Sequence, residues 1–364
     1  MKAGIVGLPN VGKSTLFNCL TNGKAQSANF PFCTIDPNFG AVTIPDERLN
    51  KLVKLIKPEK IIPNSVEIVD IAGLVKGASK GEGLGNQFLS NIRETNAIIH
   101  VLRCYENDNI THVEGSVDPY RDKEIIDFEL QIKDLETIKK RIDRIEKQAK
   151  SGDKSFLKEF KVLDSVVESL NKGISVRLQS ISFEDNKNYI KPLSLLTSKP
   201  VLYVCNINEN EISNQSPELI KLIEYLEKEG SRVIVLAAKI EEEINELENY
   251  EDRKMFLDDL GLIDSGSTIL IRETHKLLNL STFYTAGPKE VKAWTFVIGT
   301  KAPAVAGIIH SDFEKGFIKA EVIKYQDFIN HGSESKIREL GKLKIEGKEY
   351  VVEDGDIIHF RFNI

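Results

Sequence analysis

The stretch Gly7-Leu8-Pro9-Asn10-Val11-Gly12-Lys13-Ser14-Thr15 decides the fold of this chain. It follows a short apolar run, residues 2–6, that is typical of a buried strand, and it leads into an apolar helical run with Leu16, Phe17 and Leu20. A strand, a GxxxxGK[ST] loop and a helix in this order predict a phosphate-binding loop, or P-loop. The glycines let backbone N–H groups approach phosphate oxygens, and the helix directs its positive end at the anion.

Within the P-loop, the residue types suggest distinct chemical roles. Lys13 is predicted to reach the β- and γ-phosphates, and Ser14 is predicted to ligate Mg²⁺. A chance match in a glycine-rich turn is the alternative, and the flanking strand and helix argue against it. The predicted nucleotide-binding residues of the loop are Asn10, Val11, Gly12, Lys13, Ser14 and Thr15.

Length and composition bound the class of protein. The chain has 364 residues, of which 41% are hydrophobic and 29% charged, as in ordinary globular proteins of two or three domains. We expect neither a membrane span nor a signal peptide. The net charge of −6 neither favours nor excludes nucleic acid as a partner. Cys19, Cys33, Cys104 and Cys205 are widely spaced, which predicts reduced thiols in a cytoplasmic protein.

Further apolar runs alternate with helical stretches along the first 275 residues or so. Buried strands are predicted at residues 66–69, 98–102, 201–204 and 233–236. This alternation is typical of a doubly wound, mostly parallel α/β sheet, in which ligands lie beyond the carboxyl ends of the strands. The P-loop and the motifs considered below all follow such strand ends.

One segment interrupts the alternation. Apolar residues recur at spacings of three and four along residues 128–149 and again along 156–170, with the turn signal Ser151-Gly152-Asp153 between them. This pattern predicts an antiparallel helical hairpin inserted into the α/β domain. The hairpin tip is basic, since residues 139–161 contain nine Lys and Arg against four Asp and Glu. An anionic partner and a solvated charged surface both fit this excess.

From residue 282 the pattern changes to β-like runs separated by glycine-containing turns. The runs cover residues 294–298, 316–322, 348–352 and 357–360. They predict a small α+β domain without a catalytic constellation, for which binding or docking is the expected role. The predicted domains are a nucleotide-binding domain (1–124 and 197–277), the helical hairpin (125–196) and the C-terminal domain (278–364).

Two further motifs suit a nucleotide with Mg²⁺. Asp70 ends a predicted strand and Gly73 follows it; in P-loop hydrolases such an Asp holds Mg²⁺, usually through water, and such a Gly N–H senses the γ-phosphate. Thr34 lies in a predicted loop and is a candidate second hydroxyl ligand of Mg²⁺. A helix cap for Asp70 and a turn hydroxyl for Thr34 are the alternatives. The glycines at 77, 81, 83 and 85 suggest a loop that reorders with the γ-phosphate, or a structural turn cluster.

Taken together, these segments resemble those of the Obg-related GTPases, and their continuation resembles the Obg-like ATPase (YchF) subfamily. The resemblance extends over nearly the whole chain and includes the hairpin and a C-terminal segment similar to a TGS domain, which is a ubiquitin-like β-grasp module. It implies the ribosome as a partner. The residues that carry it are 7–15, 29–34, 70–79, 81–89 and 103–110, with 284–287, 312–313 and 315–318 for the TGS-like segment.

The segment expected to meet the base departs from the GTPase pattern. The strand at 201–205 ends in Asn206-Ile207-Asn208-Glu209, where a GTPase of this class has Asn-Lys-x-Asp. The lysine is absent and the acid is one methylene longer, so we expect weak guanine selectivity. The YchF family is similar both in this departure and in preferring ATP. The predicted base contacts are therefore Asn206, Ile207, Glu209 and Ala238; a merely polar strand end is the alternative.

The group that activates water is not evident. Many GTPases orient the water with a Gln after the Asp-x-x-Gly motif. Here that position is Leu74, which cannot do so, and slow intrinsic hydrolysis is expected. Gln87 and His112 are candidates, and the resemblance favours His112 as a titratable imidazole on a mobile loop that a partner could order. A surface His without a role is the alternative. Asn10 is a candidate K⁺ ligand, as in some related P-loops.

The sequence therefore predicts a P-loop NTPase domain with an inserted hairpin and a C-terminal β-grasp domain. The predicted function is that of a slow, Mg²⁺-dependent, cytoplasmic ATPase that acts as a nucleotide-dependent switch and associates with the ribosome or ribosomal RNA. An Obg-type GTPase and a regulatory binding module, in which nucleotide is mainly a conformational ligand, stay open as alternatives. A monomer is expected, and neither a membrane nor sequence-specific DNA is an expected partner.

Overall fold

The computed structural model describes residues 1–21, 39–71, 84–247 and 249–363. The described residues divide into two compact units. The first unit holds residues 1–21, 39–40 and the described part of 67–270, and the second holds 41–66 and 271–363. None of the described helices is long and apolar enough to cross a bilayer.

The described strands form two sheets. In chain order they are β1 (Lys2–Val6), β2 (Phe39–Thr43), β3 (Lys60–Ile62), β4 (Ser65–Asp70), β5 (Ala97–Arg103), β6 (Val201–Asn206), β7 (Arg232–Leu236), β8 (Leu280–Ala286), β9 (Glu290–Val297), β10 (Phe317–Ile323), β11 (Lys344–Glu346) and β12 (Ile357–Phe362).

The longer helices cover the sheets and build the hairpin. In chain order they are α1 (Lys13–Thr21), α2 (Glu47–Ile56), α3 (Leu84–Arg93), α4 (Pro119–Lys150), α5 (Lys154–Asn171), α6 (Pro217–Lys228), α7 (Ala238–Glu246), α8 (Tyr250–Asp259), α9 (Gly266–Leu277), α10 (Ala302–Ile309), α11 (Ser311–Lys315), α12 (Tyr325–His331) and α13 (Glu334–Glu339).

The first sheet has the strand order β2-β4-β1-β5-β6-β7. Its neighbours β4 and β1, β1 and β5, β5 and β6, and β6 and β7 pair in parallel. Strands β5 and β6 are buried along their whole length, as expected where helices cover both faces of a parallel sheet. The doubly wound parallel sheet is therefore confirmed, and it brings the carboxyl ends of β1, β4, β5, β6 and β7 to one edge.

The helical hairpin is also confirmed, as α4 and α5. Gly152, at φ +90°, occupies the left-handed conformation of the turn, and the Asp153 side chain caps α5 by accepting from the Ser155 N–H at 2.9 Å. The helices pack through a buried apolar seam, and full burial of each such side chain stabilises the fold by about 1.5–3 kcal/mol. The most buried members of the seam are Ile138, Ile145, Leu163, Val166 and Leu170.

The second sheet has the order β11-β10-β12-β8-β9-β3. Its β8–β9 hairpin is antiparallel and β12 runs parallel to β8, which is the strand arrangement of a β-grasp module. The strand predicted at 348–352 is wrong. Gly347 O accepts from the Tyr350 N–H at 3.2 Å and closes a turn there, and only Val351 makes an isolated bridge, to Lys301.

The predicted nucleotide-binding domain included residues 41–66, but the structure places them in the second unit. Leu49 and Leu52 of α2 pack in one apolar cluster with Tyr284 and Val291 of the second unit. Strand β3 pairs in parallel with β9. The apolar face of α2 therefore obtains its partner from residues more than 200 positions along the chain, which sequence proximity does not indicate.

The described cysteines form no disulfide with one another, and their reduced state stays a prediction. Cys19, Cys104 and Cys205 are all free. Cys33 lies outside the described residues.

Candidate nucleotide-binding site

The P-loop has a backbone that requires glycine at two positions. A Cβ on Gly7 would lie 2.7 Å from the Val101 carbonyl oxygen, and Gly12 has φ +96°, in the left-handed region. Asn10 also has a positive φ, +63°. The Gly12 carbonyl then accepts from the Leu16 N–H at 3.0 Å, which begins α1. The loop therefore has the glycine-dependent backbone and the following helix N-terminus that phosphate-binding loops use.

Asn206 joins the P-loop to the loop after β7. Its Nδ2 donates to the Val11 carbonyl at 2.9 Å, and its Oδ1 accepts from the Ala238 N–H at 3.0 Å. The side chain is buried, and a Cβ on Gly12 would collide with it. Two residues predicted as base contacts, Asn206 and Ala238, are thus brought together, but their hydrogen bonds hold the loops to each other.

The rest of the predicted base segment lies at the same edge. The Ile207 side chain is buried, and its N–H donates to the Leu236 carbonyl at 2.9 Å. The Glu209 carboxylate is half-exposed and lies 3.9 Å from Lys239 Nζ at the start of α7. Asn208 accepts from the Glu209 N–H at 3.0 Å and begins a short turn there. The Glu209 carboxylate therefore lies beside a cation in the first turn of α7.

Lys13, Ser14 and Asp70 form the polar centre of the site. Ser14 Oγ donates to Asp70 Oδ2 at 3.4 Å. Burial lowers the pKa of Lys13 while Asp70 opposes this, and burial raises the pKa of Asp70 while Lys13 and Ser14 oppose this. Desolvation therefore outweighs the mutual attraction of the two charges. The phosphates of a bound nucleotide would therefore stabilise the charged form of Lys13, and a bound metal ion would stabilise the charged form of Asp70.

The donor set fits Mg²⁺. Asp70 Oδ1 is buried and has no hydrogen-bond partner among the described residues, which leaves an oxygen for a metal-bound water. The described residues contain no group of three His, Cys, Asp or Glu side chains that could hold a metal ion. Mg²⁺ commonly takes one or two protein oxygens and completes its shell with phosphates and water, so no such group is needed. The residues that would hold it here are Ser14 and Asp70.

Several predicted positions lie outside the described residues. Thr34, Gly73 and Leu74 are among them, and their roles stay predictions, as does the glycine loop at 77–83. Gly85 belongs to α3, where Gln87 is exposed.

The alternative of a surface His at position 112 is wrong, because the His112 side chain is buried. The ring is buried, with Nε2 2.8 Å from Asp122 Oδ2, and Nδ1 accepts from the Glu114 N–H at 3.1 Å. The loop before it is organised by the buried guanidinium of Arg103. That group donates to the carbonyls of Tyr105 (3.0 Å), Asn107 (3.3 Å) and Ile110 (2.9 Å).

Neither the loop-organising role of Arg103 nor the pairing of His112 with Asp122 was predicted from the sequence. An Arg at the end of an apolar strand was the available signal for the role of Arg103. Its three acceptors are backbone carbonyls, which a sequence does not reveal. The P-loop touches this loop directly, since Asn10 Nδ2 donates to the Thr111 carbonyl at 3.1 Å.

A glycine-dependent phosphate loop at the carboxyl edge of a parallel sheet, with lysine, serine and aspartate converging on it, defines a P-loop nucleoside triphosphatase. A family model described as "50S ribosome-binding GTPase" matches residues 2–142. A model of the YchF-GTPase C-terminal region, described as a protein of unknown function (DUF933), matches residues 280–363.

Full-length relatives give the family. The chain is 54% identical over 367 residues to the ribosome-binding ATPase YchF of Bacillus subtilis (strain 168), with 100% of both chains covered. It is 52% identical over 363 residues to the ribosome-binding ATPase YchF of Escherichia coli O157:H7, with 100% of this chain and 99% of the relative covered. The chain belongs to the YchF family.

Solved structures agree with the fold. The structure of the Schizosaccharomyces pombe YchF GTPase is 37% identical, covers 99% of this chain and 97% of its own, and has a TM-score of 0.90. A GTP-binding protein from Pyrococcus horikoshii OT3, 21% identical with full coverage of both chains and a TM-score of 0.61, shares the fold.

Proposed function

We propose that this chain is a ribosome-binding ATPase that prefers ATP to GTP, hydrolyses it slowly to ADP and phosphate, and acts as a nucleotide-dependent switch. The bacterial relatives are named ribosome-binding ATPases, whereas the S. pombe relative is named a GTPase. The base preference of this chain must therefore be argued from its own residues. The observation that carries the proposal is the Asn206–Glu209 segment at the base edge of an intact P-loop.

The hydrogen-bonding capacity of this segment favours adenine. Because the Ile207 N–H is taken by the Leu236 carbonyl, the group that Ile207 offers to a base is its own carbonyl, which is an acceptor. An acceptor suits the amino group of adenine and repels the O6 atom of guanine. Glu209 lies 3.9 Å from Lys239, and its side chain is one methylene longer than the Asp that accepts from the N1–H and amino group of guanine in the GTPase pattern.

The hydrolysis step uses few protein groups. Water attacks the γ-phosphorus, the bond from that phosphorus to the β–γ bridging oxygen breaks, and the proton of the water passes to the phosphate formed. Lys13 and the P-loop N–H groups hold the β- and γ-phosphates in line for this attack. When bound, Mg²⁺ supplies positive charge to the phosphate oxygens. His112 is the proposed water-orienting group, and Asn10 a proposed K⁺ ligand to be tested by comparing turnover in KCl and NaCl.

Calorimetric titration with non-hydrolysable ATP and GTP analogues, each with Mg²⁺, tests the base preference. We expect the ATP analogue to bind at least about tenfold more tightly, the value of one bidentate contact or more. The Ile207→Lys/Glu209→Asp variant restores the Asn-Lys-x-Asp pattern and should narrow or reverse this ratio, whereas Lys239→Ala should leave ATP preferred. Tighter GTP binding by the parent chain would instead identify an Obg-type GTPase.

Ribosome association is assigned to the hairpin because its tip carries cations that make no ion pair within the described part of the chain. Three of its nine basic residues make ion pairs: Arg141 with Glu159 (2.6 Å), Lys150 with Glu146 (2.7 Å) and Lys158 with Asp185 (2.9 Å). The remaining six are exposed and make no ion pair with the described residues; they are Lys139, Lys140, Arg144, Lys147, Lys154 and Lys161. Ribosomal RNA is the anionic partner this surface fits, which would place the protein in the cytoplasm.

Cosedimentation with ribosomes over a range of salt concentrations tests this surface. The Lys140→Glu/Arg144→Glu variant should lose about tenfold in affinity, and its salt slope should fall by about two, because each lost phosphate contact releases about one counterion less. The Lys150→Glu/Lys158→Glu variant changes the net charge equally but removes cations that are already paired, and should lose much less. Equal losses of ribosome affinity in the two variants would mean that only the net charge of the protein matters.

A further inference from the structure

We propose that Asp122 is a positioning residue that holds His112 with both ring nitrogens engaged, and that slow turnover persists until this contact opens. The inference rests on the proposed function, in which His112 orients the attacking water. It gives slow hydrolysis a second cause, in addition to the presence of Leu74 where many GTPases have a Gln.

The ring of His112 has no free nitrogen. Because Nδ1 accepts from the Glu114 N–H at 3.1 Å, the neutral ring must carry its hydrogen on Nε2, and that N–H donates to Asp122 Oδ2 at 2.8 Å. The side chains of His112 and Asp122 are only 3% and 2% exposed. A water in the nucleotide site therefore cannot hydrogen-bond to His112 unless one of these two contacts breaks.

Asp122 is itself held by a second partner. Its Oδ1 accepts from Arg121 Nη2 at 3.0 Å and Nε at 3.3 Å, while Oδ2 faces His112. Both residues lie in the first turn of α4, where Asp118 caps the helix by accepting from the Arg121 N–H at 3.1 Å. The carboxylate therefore moves with the start of α4.

This arrangement places His112 between the nucleotide loop and the hairpin. On one side, Asn10 of the P-loop donates to the carbonyl of Thr111, the residue before His112. On the other side, Asp122 lies in the first turn of α4, a helix of 32 residues that ends at Lys150 in the basic tip. A partner that shifts the first turn of α4 would pull Asp122 from His112 and free the ring to meet a water.

Hydrolysis at saturating ATP and Mg²⁺, without ribosomes, tests the inference in the full chain. Asp122→Ala should raise kcat about tenfold, or about 1.4 kcal/mol, and leave KM unchanged. Asp122→Asn keeps one acceptor oxygen for Nε2 and should give a smaller rise. The double variant Asp122→Ala/His112→Ala should fall to the rate of His112→Ala alone.

Arg121→Ala is the matched control. It removes the second partner of Asp122 from the same helical turn but leaves the His112 contact, so it should give no rise in kcat. A rise of equal size would mean that any loosening of this turn is sufficient and would overturn the inference. Thermal unfolding of each variant verifies that it is folded.

The outcomes separate the inference from the proposed function. If His112→Ala slows hydrolysis but Asp122→Ala does not raise it, the positioning role is wrong and the proposed function stands. If His112→Ala hydrolyses ATP at the parent rate both without and with purified ribosomes, the catalytic role of His112 and this inference both fail, while the calorimetric base preference is unaffected. If Asp122→Ala does not fold, Asp122→Asn must still show a higher basal kcat and a smaller stimulation by purified ribosomes. The inference is overturned if Asp122→Asn shows neither effect.

Discussion

Asn206 shows how one side chain shapes the nucleotide site. The comparison with the GTPase pattern predicts it as a base contact, and that role stays a prediction. Its carboxamide nevertheless bonds to Val11 and Ala238, so it holds two loops together. A pattern of residue types indicates where a side chain lies along the chain, but it does not indicate which groups compete for its hydrogen bonds.

Replacing Asn206 should therefore affect stability as well as binding. Asn206→Ala leaves a buried carbonyl and a buried N–H without partners and should destabilise the protein by about 1–3 kcal/mol. ATP affinity should fall by more than about tenfold because the P-loop loses its anchor. Asn208→Ala, at an exposed position two residues away, is the control and should cost less than about 1 kcal/mol. Urea unfolding and calorimetry measure both effects; equal costs would contradict this role.

His100 makes folding sensitive to pH. It is fully buried on β5 with its ring centroid 5.4 Å from that of Tyr203, and Nε2 has no partner among the described residues. Burial lowers its pKa to about 4, with Asp127 opposing and with Lys123 and Arg177 acting in the same direction. An unfolded His takes up its proton near pH 6.5, so the unfolded state binds more protons between these values.

Stability should therefore fall as the pH drops from about 6.5 to about 4, by about 3 kcal/mol from His100 alone. His100→Phe removes the titrating group and keeps a ring against Tyr203, so it should flatten this part of the pH dependence. His359→Gln, at an exposed position on β12, should retain it. Urea unfolding across this pH range is the measurement, and a slope unchanged in His100→Phe would refute the assignment.

At the scale of helices and strands, the elements with a regular pattern of apolar residues were predicted best. The hairpin helices repeat apolar residues over many turns, and β5 and β6 are continuous apolar runs, so local pattern was sufficient. The strand predicted at 348–352 failed because the Gly347 turn removed it from the ladder, while β11 (Lys344–Glu346) is short and mostly exposed. Short edge strands carry little periodic signal.

The base of the hairpin depends on a buried acid. Asp134 of α4 accepts from the N–H groups of Leu196 (2.7 Å) and Thr197 (2.8 Å) and from Thr197 Oγ1 (2.7 Å). Burial raises the pKa of Asp134, and the Thr197 and Leu196 donors oppose this. The carboxylate thus fastens the helix to the chain that returns to β6.

Asp134→Asn should weaken this attachment. The amide keeps the shape but presents donors to a site that already supplies three, and we expect a loss of about 2–3 kcal/mol. Asp143→Asn, at an exposed position of the same helix, should be within about 0.5 kcal/mol of the parent. Denaturant unfolding gives the free energies, and hydrogen exchange at 195–197 locates the effect. Similar losses in both variants would argue against a special role for Asp134.

At the scale of the whole molecule, the two units are not simple halves of the sequence. Residues 41–66 belong with the C-terminal residues: the Arg48 guanidinium bonds to Asp354 at 2.6 Å, and Asn64 Nδ2 donates to Thr282 Oγ1 at 2.7 Å. A segment early in the chain thus helps to complete a unit whose strands come mostly from its end.

Truncation after residue 277 tests this division. The shortened chain loses the apolar partners of Leu49 and Leu52 and the ladder partner of β3. We expect the amides of α2 to lose their exchange protection and the protein to aggregate, because a contiguous apolar surface is exposed. Hydrogen exchange and light scattering measure these effects. A monomeric fragment with protected amides at 47–56 would show that this segment folds without the C-terminal strands.

The sequence by itself determined the class of the protein, the P-loop, the parallel sheet, the hairpin and the departure at Asn206–Glu209. These features depend on residues close together in the chain, where periodicity and loop geometry act. Only the tertiary structure decided that 41–66 belongs to the second unit, that Arg103 organises the loop after β5, and that Asp122 engages His112. Those contacts depend on buried hydrogen bonds and packing between segments that meet only once the chain has folded.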